Sequence, residues 1–308
     1  MGSVAIVFPG QGSQYVGMGR DFFEASAKAR DVFTAAEEIS SLPLKKLCFE
    51  GPLEELTLTL NLQPAVVAVD LLCWQALDQA GVKPAAVAGH SLGEYPALVA
   101  CGAITIEDCL KLVSLRGRLM DRDAQARPGA MSAIMGLSPE EVSSLTSKIE
   151  GVVQPANFNT PVQTVITGEK EAVSAAAKLA QDQGAKAIPL KVSGAWHSPL
   201  MAEAGREMSE AVAAVDIKAP SCLHVPNPTG IPTRDPGEIK SELARQLTSP
   251  VRWVQAVQAL LDQGVDTFIE AGPKKVLAGL IKKTADGRAT VYNVEDSNSL
   301  NQTLEALG

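Results

Sequence analysis

The pentapeptide Gly89-His90-Ser91-Leu92-Gly93 limits what this chain can fold into more than any other feature. It follows a short apolar run at residues 86–88 and precedes a helical pattern that starts at Glu94. An apolar strand, a tight glycine turn and a helix together are the grammar of α/β folds, in which helices cover a buried sheet. The pattern is Gly-x-Ser-x-Gly. A serine on so sharp a turn presents its hydroxyl to the outside, and small neighbours let the turn close. The N-terminus of the following helix offers free N–H groups where negative charge would develop. Ser91 is therefore a candidate nucleophile, and a plain structural turn is the alternative.

The segments on either side read in the same way. Ser3–Phe8 is a predicted strand, with a loop at 9–14 and helical patterning at 63–80 that carries Asp70 on an apolar stretch. Arg127-Pro128-Gly129 is a turn signal, after which the texture changes. A strand is predicted at 130–136, then a helix with Ser138 at the N-cap and Pro139 at its first position. Strands follow at 152–156 and 162–167, separated by residues 157–161, then an Ala-rich helix at 169–184 and a strand at 187–192. The order β-α-β-β-α-β is that of a ferredoxin-like unit. The expected architecture is thus a small domain at 127–192 inserted into a larger α/β domain made of 1–126 and 193–308. Phe268-Ile269-Glu270 and the helical pattern after Pro273 complete the larger sheet.

Composition excludes several function classes. The formal net charge of -8 is the wrong sign for a general nucleic-acid surface. Five cysteines without a Cys-x-x-Cys pair argue against a disulfide framework and a zinc cluster, and predict free thiols in a reducing compartment. The apolar run 66–72 is interrupted by Asp70 and falls short of the ~20 residues that cross a membrane. No basic leader precedes the first strand, so a cytoplasmic protein is expected. The three histidines are scattered and suggest no metal site. No glycine loop matches a dinucleotide or P-loop fingerprint.

A nucleophilic serine needs a base. His90 is adjacent to Ser91, and consecutive side chains point apart. His224 lies in an apolar, strand-like stretch and reads as a core or surface histidine. His197 lies in Ser193-Gly194-Ala195-Trp196-His197-Ser198-Pro199, an irregular loop leaving the predicted insertion, where catalytic groups collect. It is the candidate base. No acid is marked as its partner, so a carbonyl accepting its Nδ1–H is an open option. Pro9-Gly10-Gln11-Gly12 follows the first strand. It is either a plain turn or a source of a second oxyanion donor, the Gln11 N–H beside that of Leu92. Arg116, on a helix with Leu112, Val113 and Leu115, reads by spacing alone as a solvated surface arginine.

Taken in order, Gly10-Gln11-Gly12-Ser13-Gln14, Gln63-Pro64-Ala65, Gly89 to Tyr95, Arg116-Gly117, Gly129-Ala130-Met131, Asn157-Phe158-Asn159, His197 to Met201, Gln246-Leu247, Pro250 to Trp253 and Glu270 to Pro273 resemble the malonyl-CoA:acyl carrier protein transacylases. The markers span nearly the whole chain. The resemblance implies an α/β-hydrolase-like large domain with a parallel sheet and an inserted ferredoxin-like domain. It also implies transfer of a malonyl group from malonyl-CoA to acyl carrier protein through an ester on Ser91. His197 would be the base, Gln11 and Leu92 the oxyanion hole, and Arg116 the carboxylate binder. Gln63 would line the pocket, and Gln246 would orient the base through its carbonyl. No cofactor is implied, because malonyl-CoA is a substrate and phosphopantetheine arrives on the carrier.

Trp196 departs from the family pattern, where phenylalanine or a smaller residue precedes the histidine. Its ring either narrows the pocket against methylmalonyl groups or packs under the loop. An acidic carrier would need a basic patch, for which Arg116, Arg118 and Arg122, and Lys274, Lys275, Lys282 and Lys283, are candidates. The competing readings are a transacylase of a polyketide assembly line, an acyl hydrolase of the same fold, and a non-catalytic carrier-binding module. A monomer is expected.

Overall fold

A computed structural model describes residues 2–308. In chain order its strands are β1 (Ser3–Phe8), β2 (Ala86–Gly89), β3 (Ala130–Met135), β4 (Val153–Thr160), β5 (Gln163–Gly168), β6 (Lys186–Pro189), β7 (Leu223–Val225), β8 (Val265–Ala271) and β9 (Thr290–Val294). Five of them form a sheet in the order β7-β2-β1-β8-β9, and every pairing in it is parallel.

The sequence of β1 explains its central place. Val4, Ile6 and Phe8 enter one hydrophobic core, and Ala5 and Val7 enter another on the opposite face. A strand buried on both faces reads as an unbroken apolar run, not as an alternation. Val87 and Ile269 join the first core, while Ala88 and Phe268 join the second. The helix Thr59–Gln79 runs through the first core and is buried on most of its surface. At 21 residues it has the length and apolar character of a membrane span, more than the run 66–72 suggests. Its Asp70 is fully buried with neither oxygen hydrogen-bonded, and burial pushes its carboxyl well above the usual range.

The remaining strands form an antiparallel sheet, β4-β5-β3-β6. In chain order that is the first, second, third and fourth strands arranged two-three-one-four, as in a ferredoxin-like unit. Ser138 caps the helix Pro139–Thr146, with Glu141 closing a capping box. On this topology we propose residues 127–192 as the inserted domain and 1–126 with 193–308 as the larger one.

Two boundaries differ from the sequence reading. β4 continues to Thr160, through the segment 157–161 expected as a loop. Its outer edge finds partners in the other domain: Val251 N–H donates to the Ala156 carbonyl at 2.7 Å and Phe158 N–H to the Val251 carbonyl at 2.9 Å. Bulges near Pro155 and after Phe158 keep the strand in register despite the proline. β6 stops at Pro189, short of the expected 192; Leu190 keeps one bond to β3, from its N–H to the Met131 carbonyl at 2.9 Å, and with Val192 it lines the cavity described next.

Candidate active site

Ser91 stands on the turn between β2 and the helix Glu94–Ala100, with φ at 53°. This left-handed backbone is strained for a non-glycine residue and persists only where its surroundings hold it. The glycines around it are obligatory. A Cβ on Gly89 would lie 1.9 Å from the Gly93 carbonyl carbon, and one on Gly93 would lie 2.0 Å from the Phe8 carbonyl oxygen. Asn227 holds the turn from outside. Its Oδ1 accepts the Ser91 N–H at 2.6 Å and its Nδ2 donates to the Gly89 carbonyl at 2.7 Å. Sequence reading missed Asn227, because Pro226-Asn227-Pro228 signals only a turn.

His197 Nε2 lies 2.7 Å from Ser91 Oγ. Its Nδ1–H is shared between two main-chain carbonyls, Gln246 at 3.1 Å and Ser249 at 2.9 Å. This fixes the tautomer and turns the Nε2 lone pair toward the serine hydroxyl. The Ser249 carbonyl carries no sequence signal, since every residue has one. Burial first, and then the Arg116 charge, lower the His197 pKa to about 3. The imidazole is therefore neutral and able to accept a proton at neutral pH. The other histidines do not reach Ser91 Oγ: His90 Nε2 pairs with Asn159 Oδ1 at 2.8 Å, and His224 is buried in β7 with neither ring nitrogen hydrogen-bonded.

Arg116 is fully buried, which corrects both the surface reading and its place in a docking patch. Nη1 donates to Gln63 Oε1 at 2.6 Å and to Met120 Sδ at 3.1 Å. Nη2 donates to Ser91 Oγ at 3.0 Å and to Gln246 Oε1 at 3.2 Å. All of these acceptors are uncharged. Among the described residues no carboxylate comes within 4.0 Å of the guanidinium, although buried charges are normally paired. The site thus holds a cation with no carboxylate in contact, beside a serine hydroxyl.

A cavity of about 90 Å³ opens at this point, lined by Gln11, Gln63, Ser91, Arg116, Trp196 and His197 among others. The loop after β1 and the serine turn are pressed together. A Cβ on Gly10 would lie 2.5 Å from the His90 carbonyl oxygen and 3.5 Å from the Leu92 nitrogen. This brings the segment that holds Gln11 against the one that holds Leu92. Trp196 both packs and lines: its ring lies against Gly194 and also forms part of the cavity wall.

Of the other basic candidates, Arg122 is tied to Asp123 and Glu207, each at 2.7 Å, whereas Arg118, Lys274, Lys275, Lys282 and Lys283 are exposed.

A serine and a neutral imidazole in contact, oriented by carbonyls and set beside a guanidinium with no carboxylate in contact, can form an acyl ester and can pair with an acid. In agreement, the model of the acyl transferase domain matches residues 5–302, and the chain belongs to that family. It is 42% identical over 311 residues to the malonyl CoA-acyl carrier protein transacylase of Bacillus subtilis strain 168, covering 100% of this chain and 98% of the relative. The crystal structure of an acyl carrier protein S-malonyltransferase from Vibrio cholerae superposes with a TM-score of 0.93 at 42% identity, over 98% of this chain and 99% of the other. A malonyl-transacylase solved in complex with its type II PKS acyl-carrier protein superposes with a TM-score of 0.94 at 37% identity, over 99% of each chain.

Proposed function

We propose that this chain transfers a malonyl group from malonyl-CoA to the phosphopantetheine thiol of acyl carrier protein, with Ser91 carrying the group between them. The observation that carries the assignment of Arg116 is its burial without a carboxylate partner, 3.0 Å from Ser91 Oγ.

Ser91 Oγ attacks the thioester carbonyl carbon as its proton passes to His197 Nε2. The oxyanion rests on the N–H groups of Gln11 and Leu92. As the tetrahedral intermediate collapses, the C–S bond breaks and the coenzyme A sulfur takes the proton from His197. A malonyl ester on Ser91 and a neutral imidazole remain. The carrier thiol then gives its proton to His197 while its sulfur attacks the ester. Collapse forms the malonyl thioester and returns the proton to Ser91. The intermediate makes the kinetics ping-pong.

Arg116 selects the acyl group. Its planar fork pairs with the malonyl carboxylate, which an acetyl group lacks. An uncharged acyl group leaves a buried cation unpaired, at a cost of about 3 kcal/mol, or roughly a hundredfold in rate. Gln63 and Gln246 hold the guanidinium from both sides through neutral oxygens, so its charge stays available. Trp196 narrows the cavity beside the α-carbon. The exposed lysines 274, 275, 282 and 283 are the surface offered to an acidic carrier. Five buried free cysteines fit a reducing cytoplasm, where we place the enzyme as a monomer.

The test is intact mass spectrometry after brief incubation with malonyl-CoA or acetyl-CoA. A malonyl adduct absent from Ser91→Ala, with acetyl loading gained in Arg116→Ala, is the expected result. Free malonate accumulating without an adduct would make the protein a hydrolase instead.

A further inference from the structure

Beneath the serine turn lies a buried carboxyl, that of Glu94, which the transfer chemistry does not use. Burial pushes its pKa up to about 7, against the Gln246 and Asn227 hydrogen bonds and the Arg116 charge that favour the anion, so it is ionised at pH 8.5. Glu94 is fully buried. Its Oε2 accepts from Gln246 Nε2 at 2.8 Å and from the Asn227 N–H at 3.3 Å. Its Oε1 has no hydrogen-bond partner and faces His224 Nε2 at 3.9 Å. His224 is itself unpartnered at both ring nitrogens, and burial keeps it neutral, so it brings no compensating charge. Glu242, another carboxylate, adds only repulsion. Among the described residues the one cation coupled to Glu94 is Arg116, and the two are joined through a single side chain. Gln246 donates to Glu94 from Nε2 and accepts from Arg116 at Oε1.

This arrangement leaves the amide only one sense. Glu94 and the Ser91 carbonyl, which Nε2 also reaches at 2.9 Å, accept hydrogen bonds, and Arg116 only donates. The amide dipole is therefore aligned between anion and cation. A direct Arg–Glu pair would satisfy the guanidinium bidentately and occupy the fork that a substrate carboxylate needs. A guanidinium with no counterion would be costly to bury. One intervening amide avoids both difficulties.

We infer that Glu94 is the counterion of Arg116, held one amide away by Gln246 so that the buried cation is compensated while its fork stays open to the acyl carboxylate. This rests on the reading that Arg116 receives that carboxylate. It has a consequence of definite sign. Glu94 repels the incoming anion, so removing its charge strengthens malonyl recognition, whereas loss of a merely structural residue weakens it.

The test uses full-length Ser91→Ala protein, which binds substrate without reacting, and measures malonyl-CoA and acetyl-CoA affinity by calorimetry at pH 8.5. Adding Glu94→Gln keeps the shape and removes the charge. The ratio of malonyl to acetyl affinity is expected to rise about tenfold, the order of a Coulomb coupling between charges roughly 10 Å apart inside a protein. The same substitution added to Arg116→Ala leaves the ratio where Arg116→Ala set it. Gln246→Met removes the intervening amide but keeps both charges and the main-chain carbonyl. Arg116 then closes onto Glu94, and the ratio falls at least tenfold. An unchanged or lower ratio in Glu94→Gln, or an unchanged one in Gln246→Met if the first variant does not fold, overturns the inference. If the Ser91→Ala parent shows no preference for malonyl-CoA over acetyl-CoA, the reading of Arg116 fails instead.

Discussion

Arg116 Nη2 and Ser91 Oγ are 3.0 Å apart, so the charge proposed to read the acyl group and the atom proposed to attack it are in direct contact. Recognition and chemistry are therefore coupled in space, and the geometry of the fork matters as much as its charge. Arg116→Lys keeps the charge but loses the planar pair of donors. Malonyl loading is expected to show a KM raised about tenfold or more, with acetyl loading little improved. Steady-state kinetics of the loading half-reaction check this, and a KM within twofold of the parent would mean that charge alone is read.

Asn227 fixes the serine turn through both ends of its amide. Asn227→Ala leaves the half-buried Ser91 N–H and the buried Gly89 carbonyl without these partners. A loss of about 1–3 kcal/mol in stability is expected, together with a fall in kcat as the strained turn relaxes. Chemical denaturation and kcat measured on one preparation provide the check. Full activity in a destabilised protein would show that the turn holds its shape without Asn227.

Gly10 approaches the His90 carbonyl too closely for a side chain, and the obstacle is backbone that cannot rotate away. Gly10→Ala separates the loop after β1 from the serine turn and displaces the Gln11 N–H from the oxyanion. The expected fall in kcat is about a hundredfold or more, the scale seen when one oxyanion donor is lost. Unchanged kcat in a folded variant would remove Gln11 from that role.

Trp196 forms part of the wall of a cavity of only about 90 Å³. Trp196→Ala opens space beside the substrate α-carbon, and loading from methylmalonyl-CoA is expected to rise at least tenfold relative to malonyl-CoA. A wild-type protein that loads both at equal rates would show that the ring only packs under its loop.

His224 makes the fold acid-sensitive. Burial lowers its pKa from 6.5 to about 3, so between those values the unfolded chain binds a proton that the native state refuses. Its contribution is present above about pH 6.5 and is lost as pH falls toward 3. His224→Leu should remove up to about 1.4 kcal/mol of that loss for each pH unit in this window. Denaturation midpoints at pH 7.5 and 4.5 test this, and identical acid-side losses in both proteins would count against it. His197, lowered in the same way, keeps its own acid-side loss in the variant.

Much of this could be read from the sequence because its causes are local. Strand, glycine turn and helix around Ser91 follow from neighbours within a few residues, and the alternation of β3 to β6 with helices follows from hydrophobic period and caps. His197 emerged because only three histidines were available. The reading failed where the deciding contact is distant. Residues 157–160 look like a loop, yet they are strand: they pair with β5 across bulges, and Val251 bonds the edge that β5 leaves free. Arg116 looks like a surface residue until Gln63 and Gln246, 53 and 130 residues away, close around it.

The amino-acid order by itself determined most of the elements, their order in the small unit and the candidates for serine and base, because backbone conformation and amphipathic period are set over short range. Only the tertiary structure decided which charges are buried, that Asn227 holds the turn, that two carbonyls orient His197, and that an amide stands between Arg116 and Glu94. Burial and hydrogen-bond partnership are properties of surfaces brought together from far apart in the chain, and no short stretch of residues carries them.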